Sequence, residues 1–540
     1  MVHGFRVPKV SNEPIHGYEP GSALRASLEA RLKEMRAQNV EIPLEIGGKE
    51  VRTGRTGNCI EPHRHQNKLG TFHKAGKAEV ESAIQAAAKA WPAWSSMAFE
   101  HRAAIFLKAA DLISGPYRST LNGATMLGQS KTVIQAEIDA ACELIDFLRF
   151  NVTFAEQIHD LQPNNVPLEW NRMDYRPLEG FVFAITPFNF TAIGGNLPTA
   201  PAIMGNTVLW KPASTAVYSA HHLLQVLKKA GLPDGVINFV PGSGSEVGDP
   251  VLASPALAGI HFTGSTDVFR GIWKTIGENI ARYRSYPRIV GETGGKDFVF
   301  AHVSADTAEL VTALIRGAFE YQGQKCSAAS RAYVPSSRWP EVKDALVGQT
   351  RELRMGDPTD LRNFMAAVID RAAFKNISDF IDHARKSPDA NLLAGGGCDD
   401  STGYFIEPTI IEAKDPRYRT MCEEIFGPVL TVHVYPDAEI DRALEHCDQD
   451  SQYALTGSIF ARDRKAIASL SERLRNAAGN FYINDKPTGA VVGRQPFGGA
   501  RGSGTNDKAG SVLNLLRWTS PRAIKENLCP PTSYRHPHMG

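Results

Sequence analysis

Three side chains stand out by type and setting. Cys326 lies in Gln322-Gly323-Gln324-Lys325-Cys326-Ser327, a polar loop just past the stop of an apolar helix. A reactive thiol needs an electropositive, accessible setting that favours the thiolate, whereas a structural thiol sits among Leu and Val. The loop therefore suits a nucleophile, with an inert loop cysteine as the other reading. Glu292, in Gly291-Glu292-Thr293-Gly294-Gly295-Lys296, places a carboxylate in a turn whose glycines permit close backbone approach to a ligand. An ordinary surface turn fits the same residues. Asn189, in Pro187-Phe188-Asn189-Phe190, sets an amide at a strand end, where it can donate to a developing oxyanion or close an Asx turn.

Two post-strand turns could hold phosphate. Pro241-Gly242-Ser243-Gly244-Ser245-Glu246-Val247-Gly248 spaces its glycines one residue wider than the dinucleotide fingerprint. Phe262-Thr263-Gly264-Ser265-Thr266 runs into a helix start, where backbone N–H groups and a hydroxyl suit a pyrophosphate, or simply cap the helix. Trp210-Lys211-Pro212 ends a third strand with a lysine able to reach ribose hydroxyls or to stay solvated. His63-Arg64-His65 and His536-Pro537-His538 lack Cys, Asp or Glu partners at ligand spacing, and no metal site is proposed.

These residues need a frame. Apolar periodicity predicts helices over Glu81–Leu112, broken near Trp91-Pro92, and over Ile134–Leu148. Short β-rich runs follow at Phe181–Thr186, Thr207–Trp210, Val236–Val240, Gly259–Phe262 and Asp297–Ala301, separated by helices such as Tyr218–Lys229. Alternation of this kind predicts a parallel sheet covered on both faces, with ligands at the carboxyl ends of its strands. A second α/β block opens with a helix capped by Ser304 and stopped at Gly323, and later holds strands Leu430–Tyr435 and Gly457–Ala461. Leu168–Tyr175 and Leu515–Ser520 read as edge strands, which are usually paired or covered, so a partner subunit is expected.

The 540 residues allow two or more domains, and 59 Lys+Arg against 58 Asp+Glu provide no global field for nucleic acid or membrane. Seven scattered cysteines without a Cys-x-x-Cys pair argue for a reducing compartment. The amino terminus shows neither a secretory nor a transit signal, which predicts a bacterial cytoplasm, or a mitochondrial matrix if a transit peptide precedes this chain.

Taken together, Pro187–Phe190, Trp210–Pro212, Phe262–Ser265, Glu292–Lys296, Gly323–Ser327 and Glu423-Glu424-Ile425-Phe426-Gly427-Pro428 resemble the aldehyde dehydrogenase superfamily, in the family's order and from about residue 40 onward. The 34-residue separation of Glu292 and Cys326 fits as well. Ile134–Ala140, Gly323–Ala328, Asn480–Lys486, Pro496–Arg501 and Gly504–Lys508 are similar to one branch, the 1-pyrroline-5-carboxylate dehydrogenases, which oxidise L-glutamate γ-semialdehyde in proline catabolism.

The resemblance implies an α/β architecture: a Rossmann-type cofactor domain (1–165 and 185–293, with 490–514), a catalytic domain (294–489), and a β-strand oligomerisation arm (166–184 and 515–535). It implies Cys326 as nucleophile, Glu292 as general base and Asn189 as oxyanion donor. NAD would be held by Lys211, Ser214, Gly242, Gly264, Ser265, Glu424 and Phe426. Ser327 with the Gly489-Ala490 backbone would anchor the substrate's α-carboxylate, and Phe190 and Phe497 would flank its carbon chain. Phe269 stands where many relatives carry Gly, Ala490 where some carry Ser, and Ser214 where NAD-strict relatives of other branches carry Glu. A small-molecule substrate, a homodimer or higher homo-oligomer and functional coupling with proline dehydrogenase are the implied partners. Nucleic acid and membrane are not among them. Rival readings are a succinate semialdehyde or general aldehyde dehydrogenase, and a cysteine hydrolase or silent scaffold. The anchor loop counts against the first, and the presence of Cys326, Glu292 and Asn189 without a motif histidine against the second.

Overall fold

A computed structural model of the chain describes residues 6–540. Seven strands build a first sheet: β1 (Leu44–Ile46), β2 (Lys49–Val51), β3 (Phe181–Thr186), β4 (Thr207–Pro212), β5 (Ile237–Phe239), β6 (Leu257–Thr263) and β7 (Arg288–Glu292). Their spatial order is β7-β6-β3-β4-β5-β1-β2. Strands β7, β6, β3, β4 and β5 are parallel, and β1 and β2 close the other edge in antiparallel pairing. Continuous apolar runs such as Phe-Val-Phe-Ala-Ile in β3 suit strands buried on both faces. After β3 the chain builds outward through β4 and β5, then returns to β3's other side with β6. That reversal leaves a crevice between the carboxyl ends of β3 and β6, the usual ligand position in such sheets.

The crossovers are helical: α1 (Thr191–Ile203), α2 (Val217–Ala230), α3 (Gly244–Leu252) and α4 (Thr266–Glu278). Ser243 caps α3 by accepting from Glu246 N–H at 3.3 Å, and Ser265 caps α4 by accepting from Val268 N–H at 3.4 Å. Phe269 stacks on Phe262 with centroids 5.3 Å apart and fills the space that a side chain at Gly291 would need.

The second sheet contains β8 (Asp297–Ala301), β9 (Ala329–Pro335), β10 (Ala390–Ala394), β11 (Thr409–Ala413), β12 (Val429–Tyr435), β13 (Thr456–Phe460) and β14 (Asn480–Ile483), in the order β10-β11-β12-β9-β8-β13-β14. All pairings are parallel except β10 with β11. Helix α5 (Thr307–Phe319) leads from β8 into the cysteine loop. Its cap is Asp306, which accepts from Glu309 N–H at 3.1 Å. Ser304, the predicted cap, instead accepts from the backbone N–H groups of Arg462 and Asp463.

Other expectations shift for local reasons. The predicted break at Pro92 falls later: one helix spans Lys77–Ser96 and the next Phe99–Ser114. Pro92 and Ala88 are both exposed, so the carbonyl that proline leaves without an amide can meet water. The predicted Ile134–Leu148 helix contains a π-helical stretch, Glu137–Glu143, before continuing as Leu144–Asp160. Two edge strands do pair, with each other: Glu169–Pro177 and Thr519–Asn527 form an antiparallel ribbon separate from both sheets. The ribbon is shorter than the segments 166–184 and 515–535 expected to form an arm. Residues 181–184 belong to the centre of the first sheet, and Val512–Leu516 is a short helix with Leu515 and Trp518 fully buried.

Candidate active site

Between α5 and Cys326 the backbone takes three left-handed residues, Tyr321, Gln322 and Gly323, with φ of 54°, 54° and 66°. Such a turn is costly for side-chain-bearing residues and persists only when its surroundings impose it. Here the buried Gln322 side chain imposes it, donating to the carbonyls of Ser130 (3.1 Å) and Ala367 (2.7 Å) and accepting from Ala366 N–H (3.0 Å). Gln324 adds a bond from Ile369 N–H to its Oε1 at 2.8 Å. At Gly323 a β-carbon would also strike the Gly427 carbonyl.

This anchored turn presents Cys326, which is only 8% exposed. Burial pushes its thiol well above the usual range, and the carboxylates of Asp297, Glu292 and Glu424 add to the effect. The expected electropositive, open setting is not what the fold provides. Lys325 points to Glu320 at 3.4 Å, and burial lowers its ammonium to about 8.

Asn189 reaches the same loop from the carboxyl end of β3, donating from Nδ2 to the Gln324 carbonyl at 3.1 Å. Its other N–H remains available to the crevice that Asn189 and Cys326 both line. Gln129 fixes the backbone beside Asn189 by donating to the Phe188 carbonyl and accepting from Thr191 Oγ1 at 3.0 Å. Glu292 ends β7, but its carboxylate turns to the opposite loop, accepting from Gly499 N–H at 3.0 Å. Desolvation pushes that carboxyl well up, against the opposing pull of the Gly499 N–H and Lys508. Gly295 lies against the Cys326 backbone, close enough that a β-carbon there would strike its carbonyl.

From Cys326 a cleft of about 730 Å³ runs along the β3–β6 crevice. The starts of two helices open into it, through Gly244 and Ser245 of α3 and through Gly264 and Ser265 at α4. Lys211 lines it from β4, half-buried and without an ion pair among the described residues, with its ammonium lowered by desolvation. Glu424 faces it from across the crevice while accepting from Gly295 N–H at 2.8 Å. Phe426, left-handed at φ 57°, packs edge-on against Phe188 with centroids 5.8 Å apart. Two helix N-termini, a lysine without an ion pair and a carboxylate across the crevice make a fitting cradle for a dinucleotide's pyrophosphate and riboses.

The sequence matches the Aldehyde dehydrogenase family over residues 50–524. This chain belongs to the aldehyde dehydrogenase family. Delta-1-pyrroline-5-carboxylate dehydrogenase, mitochondrial, of Dictyostelium discoideum is 54% identical over 544 residues, covering 100% of this chain and 98% of its own. The NAD-bound crystal structure of the Delta-pyrroline-5-carboxylate dehydrogenase from Mycobacterium tuberculosis superposes with a TM-score of 0.97 at 55% identity, covering 100% of both chains. Proline utilization A from Bdellovibrio bacteriovorus matches at 32% identity and a TM-score of 0.91, over 96% of this chain and 53% of that one.

Within this aldehyde dehydrogenase, the predicted residues divide by position. Asn189, Lys211, Gly264, Ser265, Cys326, Glu424 and Phe426 share the cleft. Gly242 does not: it packs against Ala75, and because Ser243 is the helix cap, Gly244, Ser245 and Gly248 line the cleft instead. Ser214 is exposed at the start of a short 3₁₀ turn, and Ala213 takes the lining position. On the other side of the thiol, Ser327 Oγ meets Thr488 Oγ1 at 2.8 Å, joining the cysteine loop to Gly489 and Ala490. Phe190 lies under Lys131, whose Nζ is 3.9 Å from the ring centroid and 2.6 Å from Asp139. Phe497 is half-buried and pairs with Ala509 through the backbone. Gln129, Gln322 and Thr488 escaped the sequence reading, since their roles depend on partners remote in the chain.

Proposed function

We propose that the cleft, the thiol and the Gly489-Ala490 loop work together in NAD-dependent oxidation of L-glutamate γ-semialdehyde, formed from 1-pyrroline-5-carboxylate, to L-glutamate. The observation that carries this is the meeting of Cys326 and Asn189 at the inner end of a dinucleotide-shaped cleft. Full-length similarity to named 1-pyrroline-5-carboxylate dehydrogenases supports the substrate.

The Cys326 thiolate attacks the aldehyde carbon and forms a thiohemiacetal. The free N–H of Asn189 and the Cys326 backbone N–H take the oxyanion. NAD, when bound, supplies the acceptor for the hydride that leaves this carbon, and a thioester remains on Cys326. Glu292, swung off Gly499, removes a proton from water as that water attacks the thioester; glutamate departs and the thiolate is restored. Lys211 and Glu424 take ribose hydroxyls, Ser265 a phosphate, and Phe426 packs beside the nicotinamide end. Ser327 and the Gly489-Ala490 backbone hold the α-carboxylate, with Phe190 and Phe497 along the carbon chain.

The same reading divides the chain into the cofactor sheet with its helices, the catalytic sheet, and the ribbon of Glu169–Pro177 and Thr519–Asn527 as a homo-oligomer contact. Because the substrate arises by oxidation of proline, functional coupling with proline dehydrogenase belongs to the proposal. A reducing bacterial cytoplasm or mitochondrial matrix suits seven unpaired thiols. Among the described residues no helix is long and apolar enough to cross a membrane.

The test is NADH formation with pyrroline-5-carboxylate, succinate semialdehyde and propanal, for the wild type and Cys326→Ala. Preference for pyrroline-5-carboxylate, abolished in Cys326→Ala, is expected. Preference for propanal, or activity surviving without the thiol, overturns the reading.

A further inference from the structure

The segment before the first helix, residues 6–18, lies outside the span matched by the family, which begins at residue 50. It runs over the helical layer as a strap held by buried carboxylates. Val7 N–H donates to Glu156 at 2.9 Å, Glu13 N–H to Asp146 at 2.8 Å, and His16 N–H to Glu137 at 3.0 Å. Glu13 itself accepts from Ser114, Arg118 and Arg149, each at 2.7 Å. So many part-buried, charge-assisted bonds fix the strap firmly.

One strap residue reaches beyond that layer. Asn12 Nδ2 donates to Asp146 Oδ2 and to the Val492 carbonyl, both at 2.8 Å, and Asn12 Oδ1 accepts from Arg494 Nε at 2.9 Å. Both N–H bonds of the amide and its oxygen are thus engaged, a pattern that no other side chain of this size reproduces. Val492 and Arg494 belong to a tight turn just after Gly489-Ala490, in which Arg494 N–H and Gln495 N–H both donate to the Val491 carbonyl at 2.9 Å. Left-handed glycines, Gly489 at φ 103° and Gly493 at φ 79°, sit on either side of Val492. Val492, between them, is buried against the helical core, and the Asn12 bonds tie the turn to the strap as well.

We propose that Asn12 is a specificity-determining positioning residue, whose amide sets the turn carrying the Gly489-Ala490 N–H groups for the substrate's α-carboxylate. This rests on the anchor role assigned under Proposed function. The substitution that isolates it is Asn12→Asp, which keeps the shape, removes both donors and sets a carboxylate against Asp146 and the Val492 carbonyl. KM for pyrroline-5-carboxylate rises about tenfold, the scale of one lost hydrogen bond to a charged partner. KM for NAD and kcat/KM for propanal, which has no α-carboxylate, stay within twofold. Arg494→Met shifts the same KM in the same direction by less.

Ala490→Pro, which deletes a loop N–H directly, separates the two levels. If Ala490→Pro raises that KM and Asn12→Asp does not, the strap proposal fails while the anchor reading stands. If Ala490→Pro leaves it unchanged, both fail. Equal loss of pyrroline-5-carboxylate and propanal turnover in Asn12→Asp, or a large drop in its melting temperature, marks a structural role only and also overturns the proposal.

Discussion

Gly295→Ala places one methyl group at the point where the bridge between the two sheets touches the Cys326 backbone. The new β-carbon would lie closer than 3.0 Å to the carbonyl oxygen of Cys326, where ordinary contacts begin at about 3.4 Å. On its other side it meets the Asp297 carboxylate. Asp297 is buried and accepts from Thr456 N–H at 2.7 Å, so it cannot easily yield. The Cys326 peptide must therefore give way by roughly 1 Å, and a misplacement of that size costs about 10²-fold in rate. Overpacking of this kind also destabilises by roughly 1–3 kcal/mol, which leaves a large protein folded. Stopped-flow measurement of the NADH burst separates nucleophile alignment from the later hydrolysis. We expect the burst rate to fall about 10²-fold, with NAD affinity within threefold of wild type and a cooperative thermal unfolding transition retained. A burst rate within threefold of wild type would refute the argument that Gly295 is required by close approach.

Glu292→Gln should preserve the first NADH burst while slowing steady-state turnover by about 10²–10⁴-fold, the usual contribution of a general base; loss of the burst would contradict its assignment to hydrolysis. Lys211→Ala removes the unpaired ammonium from the cleft and should raise KM for NAD about tenfold with little change in KM for aldehyde, as read by initial rates at varied NAD. Alkylation of Cys326 by iodoacetamide in the NAD-free enzyme, followed on its own peptide by mass spectrometry, should climb about tenfold per pH unit from 7 to 9. Burial raises this thiol, so the thiolate fraction still increases across that whole range. A plateau below pH 8 would show that a cationic partner activates it.

Local pattern was enough for the parts of the fold that depend on local pattern. Phe181–Thr186 and Asp297–Ala301 are strands with the predicted ends because each is an apolar run between breakers. Arg288–Glu292 was missed because Pro287 and Gly291 mark it as a turn, and only pairing with β6 makes it a strand. The π-helical stretch was hidden for a related reason. Its register is set by buried partners, with Asp139 capping α1 through Thr191 and Ala192 N–H and Glu137 meeting Arg118, rather than by apolar spacing. At the site, motif order identified the residues that share the cleft but not their environment. Nothing adjacent to Cys326 signals its burial, and the partner of Glu292, Gly499, is 207 residues away. Lys325 misled for the same reason, since three left-handed residues decide which way it points.

Only Thr293, Gly294, Gly295 and Lys296 separate the end of β7 from the start of β8. Glu292 and Cys326 thus sit on different sheets joined by a bridge with almost no slack. The spacing of Glu292 and Cys326 therefore depends on how the two sheets are set against each other. A longer bridge would leave each residue intact while loosening the distance between them.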